Sequence, residues 1–123
     1  MSLTQAEAAR TIQTKNWKLR YYEAGEGHPL IMIHGSGPGA TGWSNFSRNI
    51  EVLAKNFRVL ALDMPGWGDS DPCTKETLDH VGATIEFMDQ LGLEKAALVG
   101  NSMGGIVALA VAVDHPDRVS HVI

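Results

Sequence analysis

Short apolar runs alternate along the chain with longer segments in which apolar residues recur every three or four positions. The runs at residues 30–34, 57–64 and 95–100 are apolar nearly throughout, as strands buried on both faces of a sheet are. Between them, residues 43–56 and 78–91 place their apolar side chains on one helical face. This alternation predicts an α/β fold with a mainly parallel sheet and helices on both of its faces.

The two ends of the chain extend the same pattern. Residues 10–14 and 18–24 have the composition of two β-type segments that precede the first buried strand. After the central strands, an apolar helix is expected over residues 103–115, then a stop at Pro116 and a last strand over 118–123. We find no repeat, linker or low-complexity stretch, so all 123 residues are expected to belong to a single domain.

The composition and charge of the chain limit the kinds of molecule that it is expected to bind. The chain is 44% hydrophobic, which is enough for a core, and its formal charge of -4 comes without a basic cluster for nucleic acid or an anionic membrane. The apolar runs are too short to cross a bilayer, the polar N-terminus lacks a signal-peptide core, and Cys73 is the one cysteine. We therefore expect a cytoplasmic protein that acts on a small molecule.

The stretch ALVGNSMGGIVAL, residues 97–109, joins a predicted buried strand to a predicted helix through Gly100, Ser102 and Gly104. A G-x-S-x-G pattern in this context is typical of a nucleophile elbow, in which a sharp turn lifts a serine hydroxyl clear of the sheet. Such a turn leaves no room for side chains two residues either side. We favour a nucleophilic Ser102 over a turn that only connects two elements. The N–H of Met103, at the positive end of the helix, is a candidate oxyanion donor.

A glycine-rich loop, HGSGPGATGWSN at residues 34–45, follows the first buried strand. In this architecture that loop supplies the second oxyanion N–H, for which Ser36 is the candidate. The loop also contains a formal G-x-G-x-x-G with Asp63 about twenty residues further on, so a dinucleotide site is the rival interpretation. Pro38 removes a donor where phosphate needs one, and a dinucleotide site leaves the Ser102 turn unexplained.

Three motifs together resemble the α/β-hydrolase superfamily across essentially the whole chain: His34-Gly35, DMPGWGDSD at residues 63–71, and GNSMGG at residues 100–105. More narrowly, HGSGPGATGWSNF with GNSMGG resembles the meta-cleavage-product hydrolases. That resemblance implies hydrolysis of a carbon–carbon bond in a 2-hydroxy-6-oxo-dienoate formed by aromatic ring cleavage, through a serine nucleophile and a backbone oxyanion hole. The motif DMPGWGDSD occurs in many hydrolases, including esterase-like ones. An esterase or lipase-like activity therefore stays open, and so does a fragment without catalytic activity.

The resemblance also implies which residues bind substrate. In the family the loop supplies an oxyanion N–H at the position of Ser36, and asparagines matching Asn45 and Asn101 line the polar end of the pocket beside Gly35 and Gly37. A serine at the elbow separates the chain from the dehalogenase and epoxide hydrolase branches, which use aspartate there. No metal-ligand spacing is present in the sequence, and neither a cofactor nor a metal is expected. Homo-oligomerisation of the full-length protein stays open.

The catalytic acid and histidine that would activate Ser102 are harder to identify in the sequence. In this fold the acid and the histidine follow the nucleophile, and only residues 103–123 do so here. Their DHPDRVSHVI stretch has the pattern of a helix end and a strand start, so its histidines are expected to be structural. His34 is expected to orient the oxyanion loop, and His28 and His80 to lie at the surface. We therefore expect the N-terminal part of one α/β-hydrolase domain, truncated after its sixth strand and inactive alone, with the lid and the triad partners outside it.

Overall fold

A computed structural model describes residues 2–123, which contain one six-stranded sheet. The strands are β1 (Ala9–Gln13), β2 (Lys18–Ala24), β3 (Pro29–Ile33), β4 (Arg58–Leu62), β5 (Ala96–Gly100) and β6 (Val119–Val122). Their order across the sheet is β1-β2-β4-β3-β5-β6. β1 and β2 are antiparallel to their neighbours, whereas β4, β3, β5 and β6 run parallel. The mainly parallel sheet predicted from the apolar pattern is confirmed.

Helices cover both faces of this sheet. They are α1 (Gln5–Ala8), α2 (Gly42–Leu53), α3 (His80–Gln90) and α4 (Met103–Asp114), and a 3-10 turn follows at Pro116–Arg118. Residues of α2 pack into one apolar cluster, and residues of α3 and α4 pack into a second cluster on the opposite face. None of the helices within residues 2–123 is long and apolar enough to cross a membrane.

The central strands explain why their sequences are apolar throughout. In β3, Ile31 and Ile33 pack toward α3 and α4, whereas Leu30 and Met32 pack toward α2. Successive side chains of a strand point to opposite faces, so a strand covered on both faces buries all of them. Each such side chain contributes about 1.5–3 kcal/mol to folding. Because β3, β4 and β5 are parallel neighbours, the loops after their carboxyl ends meet at one edge of the sheet.

Two short elements and one histidine depart from the sequence-based predictions. Neither α1 nor the 3-10 turn is long enough to have a helical repeat; α1 is a single turn that Thr4 caps. The prediction of a surface His80 is wrong, because this residue is buried at the first position of α3. Its Nε2 lies 3.2 Å from the carbonyl oxygen of Pro65, and its ring packs edge-on against Trp67. His28 is exposed, as expected.

Candidate active site

Ser102 lies in the turn between the end of β5 and the start of α4. It has φ 57° and ψ -114°, and among residues 2–123 no other non-glycine residue has a positive φ. A side chain held in this region costs about 1–3 kcal/mol, so the surrounding structure must impose it. The residue is exposed and its side chain makes no capping hydrogen bond to α4. The turn therefore presents a free serine hydroxyl at the carboxyl edge of the sheet.

The glycines around Ser102 are required by close backbone contacts. A Cβ on Gly100 would collide with the backbone of Gly104, and a Cβ on Gly104 would collide with the carbonyl group of Ile33. Gly105 differs, since the nearest atom to its Cβ position is 3.5 Å away, an ordinary contact. The steric reason given by the sequence pattern thus applies at positions 100 and 104. It is the direct packing of the first turn of α4 against the strands that forces the sharp turn.

The loop after β3 faces the Ser102 turn. A Cβ placed on Gly35 would lie 3.5 Å from the Cβ of Ser102 and 3.3 Å from the carbonyl oxygen of Asn101. Between the two loops is a pocket of about 400 Å³. Its lining includes six of the seven predicted site residues, Gly35, Ser36, Gly37, Asn45, Asn101 and Ser102. The seventh, Met103, is the first residue of α4, where the backbone N–H groups lack intrahelical partners.

Asn45 joins the two loops. It lies in the first turn of α2, a helix that Thr41 caps through its side chain. The Oδ1 atom of Asn45 accepts a hydrogen bond of 3.0 Å from the Gly35 N–H and another of 3.0 Å from the Nδ2 of Asn101. Two donors on one oxygen fix the orientation of the Asn45 amide. Its Nδ2 donors and the Oδ1 acceptor of Asn101 therefore remain for a ligand in the pocket.

His34 contacts the glycine-rich loop after β3 from the interior of the protein. The side chain is fully buried, with Nδ1 2.7 Å from the Gly35 carbonyl oxygen and Nε2 3.0 Å from the backbone N of Met64. The imidazole thus contacts Gly35, the first glycine of the glycine-rich loop after β3. Burial lowers the pKa of His34, and the hydrogen bond to Gly35 and the nearby Asp63 carboxylate act in the opposite direction.

Asp63 holds the ends of two loops at the carboxyl end of β4. Its carboxylate accepts hydrogen bonds from the N–H of Gly42, at 2.8 Å, and of Asp69, at 3.2 Å. Burial raises the pKa of this carboxyl group, and the two backbone hydrogen bonds lower it. Both oxygens are therefore engaged by the protein's own backbone. This weakens the dinucleotide interpretation, in which Asp63 would bind a ribose.

Residues that could activate Ser102 are absent from the lining of its pocket. Within residues 2–123, none of the histidine side chains borders that pocket. His34 and His80 are buried with backbone partners, and His28 contacts the Ser120 hydroxyl at 2.8 Å. The described residues also contain no cluster of three or more histidine, cysteine, aspartate or glutamate side chains that could hold a metal ion. The site consists of a serine turn, a glycine loop and an asparagine pair.

A family model for the alpha/beta hydrolase fold matches residues 28–123. The chain therefore belongs to the α/β-hydrolase family. It is 40% identical, over 99% of its length, to the 2-hydroxy-6-oxononadienedioate/2-hydroxy-6-oxononatrienedioate hydrolase 1 of Dechloromonas aromatica, of which it covers 45%. It is 46% identical, over 85% of its length, to the 2-hydroxy-6-oxo-6-phenylhexa-2,4-dienoate hydrolase of Comamonas testosteroni, of which it covers 38%.

Comparison with solved structures also finds similarity to hydrolases of this kind. The chain superposes with a TM-score of 0.90 and 37% identity on a mutant of the meta-cleavage product hydrolase of Pseudomonas fluorescens in complex with acetates. The match covers 96% of this chain and 44% of that one. The narrower resemblance stated from the sequence, to the meta-cleavage-product hydrolases, is confirmed. The chain spans less than half the length of the curated relatives described above.

Proposed function

We propose that this chain carries the nucleophile and the oxyanion hole of a serine hydrolase that cleaves a carbon–carbon bond in a 2-hydroxy-6-oxo-dienoate. The observation that carries the proposal is the strained, exposed Ser102, which faces the glycine loop of Gly35 and Ser36 across one pocket. The names of the relatives support the substrate class, because each name gives an unsaturated 2-hydroxy-6-oxo acid as the compound that is hydrolysed.

In the proposed reaction the dienol is first ketonised, so that the proton of its hydroxyl group moves to the carbon next to the distal ketone. The Oγ of Ser102 then attacks that ketone, and the N–H groups of Ser36 and Met103 stabilise the oxyanion. The carbon–carbon bond breaks, and its electron pair passes into the conjugated ketone to re-form a dienol. Water finally releases the acyl group from Ser102 as a carboxylic acid. In the net reaction, the OH of water is added to the acyl fragment and its H to the fragment that leaves as the dienol.

The lining of the described pocket contains no histidine or carboxylate that could act as a general base, so the mechanism needs a histidine from elsewhere in the whole protein. A serine hydroxyl is a weak nucleophile without an adjacent base. We propose that the triad histidine and its acid belong to the part of the protein that corresponds to the rest of its relatives. The residues of this chain then supply the attacking oxygen and the groups that stabilise the developing negative charge.

The asparagine pair gives the pocket its polar end. Because the Oδ1 of Asn45 is engaged, this residue offers N–H donors to a carboxylate or keto oxygen, and the free Oδ1 of Asn101 offers an acceptor to a hydroxyl. A Cβ on Gly37 would meet no atom within 4 Å, so the loop backbone is open to a ligand there. This mixture of donors and acceptor suits the hydroxy-acid end of a dienoate.

The test is whether the whole protein hydrolyses a dienoate. The reaction is monitored by the loss of dienolate absorbance, and its products are identified. A dienoate substrate should give a carboxylic acid and a hydroxydienoate, and Ser102→Ala should reduce the rate by at least about a thousandfold. Ser47→Ala is the matched control, because this serine of α2 lies outside the pocket lining. Hydrolysis of simple esters without dienoate cleavage would replace the proposal with the esterase alternative. Saturable cofactor binding that Ser102→Ala leaves unchanged would favour a dinucleotide site.

A further inference from the structure

Ser44 lines the same pocket as Ser102 but is outside the site predicted from the sequence. It lies in the first turn of α2, immediately before Asn45, and it is exposed. Among the polar residues of this lining, as far as residues 2–123 define it, Ser44 alone has no part in the proposed reaction. Its hydrogen bonds indicate what it can offer to a ligand.

The hydroxyl group of Ser44 accepts one good hydrogen bond and makes no good bond as a donor. The Thr41 N–H donates to its Oγ at 2.9 Å, which is half of the capping box at the start of α2. The carbonyl oxygens of Gly39 and Thr41 lie 3.4 and 3.3 Å from the same Oγ. A hydroxyl donor usually approaches an oxygen to about 2.7–2.8 Å, so both of these contacts are weak. The Ser44 proton is therefore available to an acceptor in the pocket.

A carboxylate is the acceptor that suits this wall of the pocket. The Ser44 hydroxyl and the Nδ2 donors of Asn45 come from neighbouring residues, so they can bind the two oxygens of one group. No aspartate or glutamate lines the pocket, so no carboxylate of the lining repels an anion there. Because Ser102 lines the same pocket, a dienoate with its ketone at Ser102 can direct its carboxylate toward the start of α2.

We propose that Ser44 is a specificity-determining residue, whose hydroxyl donates a hydrogen bond to the substrate carboxylate beside the Asn45 amide. The inference rests on the proposed function, because it takes a dienoate as the substrate. It goes beyond that function by assigning a ligand group to a residue outside the predicted site. It also gives the pocket a preference for a free acid over its ester.

Two substitutions separate the ligand contact from the helix cap. Glutamate and glutamine are both typical at the third position of a capping box, so Ser44→Glu and Ser44→Gln can each accept the Thr41 N–H. Only glutamate places a negative charge beside the substrate carboxylate. The affinity for a dienoate is measured in the whole protein with Ser102→Ala, which binds without turnover. Ser44→Glu should raise the Kd at least about tenfold above that of Ser44→Gln.

Ser44→Ala removes the donor, and Thr41→Ala is its matched control. The first variant should raise the Kd about 5- to 20-fold, because a hydrogen bond to a charged acceptor is lost. The second removes the other side chain of the same capping box, but Thr41 does not line the pocket. It should lower stability and leave the Kd nearly unchanged. An equal increase in Kd in both variants would overturn the inference, as would equal Kd values for Ser44→Glu and Ser44→Gln.

The methyl ester of the same dienoate distinguishes this inference from the proposed function. The ester lacks the negative charge but retains the ketone that Ser102 would attack. In kcat/KM the whole protein should prefer the acid, and Ser44→Ala should reduce that preference about 5- to 20-fold. An unchanged preference, with dienoate cleavage intact, would overturn the inference alone. A whole protein that neither binds nor cleaves the dienoate would defeat the proposed function, and the inference with it.

Discussion

Gly104 of α4 lies directly on the backbone of Ile33 of β3, so closely that even a methyl group on Gly104 would strike the Ile33 carbonyl. This contact brings the first turn of α4 against the end of β3. The residue after Ile33 is His34, which begins the glycine-rich loop, and the residue two before Gly104 is Ser102. One backbone contact therefore sets the distance between the serine turn and the loop that faces it.

Replacement of Gly104 by alanine should destabilise the protein by more than about 2 kcal/mol, because the added methyl group meets backbone that cannot move aside alone. Gly105→Ala is the matched control, since its Cβ position has only ordinary contacts. Alanine is the better helix former there, so Gly105→Ala should be neutral or stabilising by up to about 1 kcal/mol. Denaturant unfolding of both variants of the whole protein measures the difference. Equal stabilities would show that the contact imposes no strain.

The positive φ of Ser102 predicts that a side chain at this position lowers the stability of the protein. Glycine adopts this backbone region without steric cost, whereas alanine keeps the Cβ that is strained there. Ser102→Gly should therefore be more stable than Ser102→Ala by about 1 kcal/mol, although neither variant has a hydroxyl group. Thermal or denaturant unfolding of the two variants compares them directly. A Ser102→Ala protein that is as stable as Ser102→Gly would mean that the turn is relaxed.

Removal of the Asp63 carboxylate should lower the free energy of unfolding, although burial of that group is itself unfavourable. Asp63→Ala leaves the buried N–H of Gly42 without its acceptor and frees the N–H of Asp69, so we expect a loss of about 2 kcal/mol or more. Asp69→Ala retains that N–H and removes only an ion pair of 3.9 Å between the exposed Asp69 and the partly exposed Arg20, for which we expect about 0.5 kcal/mol or less. Similar losses in the two variants would contradict the anchoring role of Asp63.

Stability should depend on pH through the two buried histidines. The pKa values of His34 and His80 are lowered from 6.5, chiefly by burial, so the unfolded chain binds more protons than the folded chain just below that pH. Their contribution is fully present above pH 6.5 and is lost as the pH falls toward their folded-state pKa values. Each histidine contributes a slope of at most about 1.4 kcal/mol per pH unit.

His34→Asn removes one of these titrating groups from both the folded and the unfolded chain. The free energy of unfolding should therefore fall less steeply below pH 6.5 in this variant than in the wild type. Unfolding curves recorded at several pH values give the two slopes. An unchanged slope would mean that His34 titrates alike in both states.

The fold could be predicted from the sequence because burial on two faces leaves a direct pattern. The apolar run of β3 and the three-and-four spacing in α2 each predict one element, and the parallel order follows from their alternation. Pro116 was expected to stop α4, and the structure has a 3-10 turn at that position. The single turn of α1 depends on a local cap at Thr4, which leaves no periodic signal.

The lining of the pocket could be predicted in part from local chemistry and in part from the family resemblance, whereas the hydrogen bonds that join its elements could not. Gly100 and Gly104 predict the strained serine turn because the steric requirement is contained in five consecutive residues. The bonds of the Asn45 amide oxygen to Gly35 and Asn101 connect residues from three different elements, and no sequence spacing reveals them. The same holds for His80, whose burial depends on Trp67 and Pro65 from the loop after β4.

The central claim is that Ser102 is the nucleophile, and peptide mapping after reaction of the whole protein with a serine-reactive phosphonate tests it most directly. We predict one adduct on the peptide that contains Ser102, its loss in the Ser102→Ala variant, and its suppression by a dienoate substrate. An adduct on a different serine, together with dienoate cleavage that continues in Ser102→Ala, would contradict the claim.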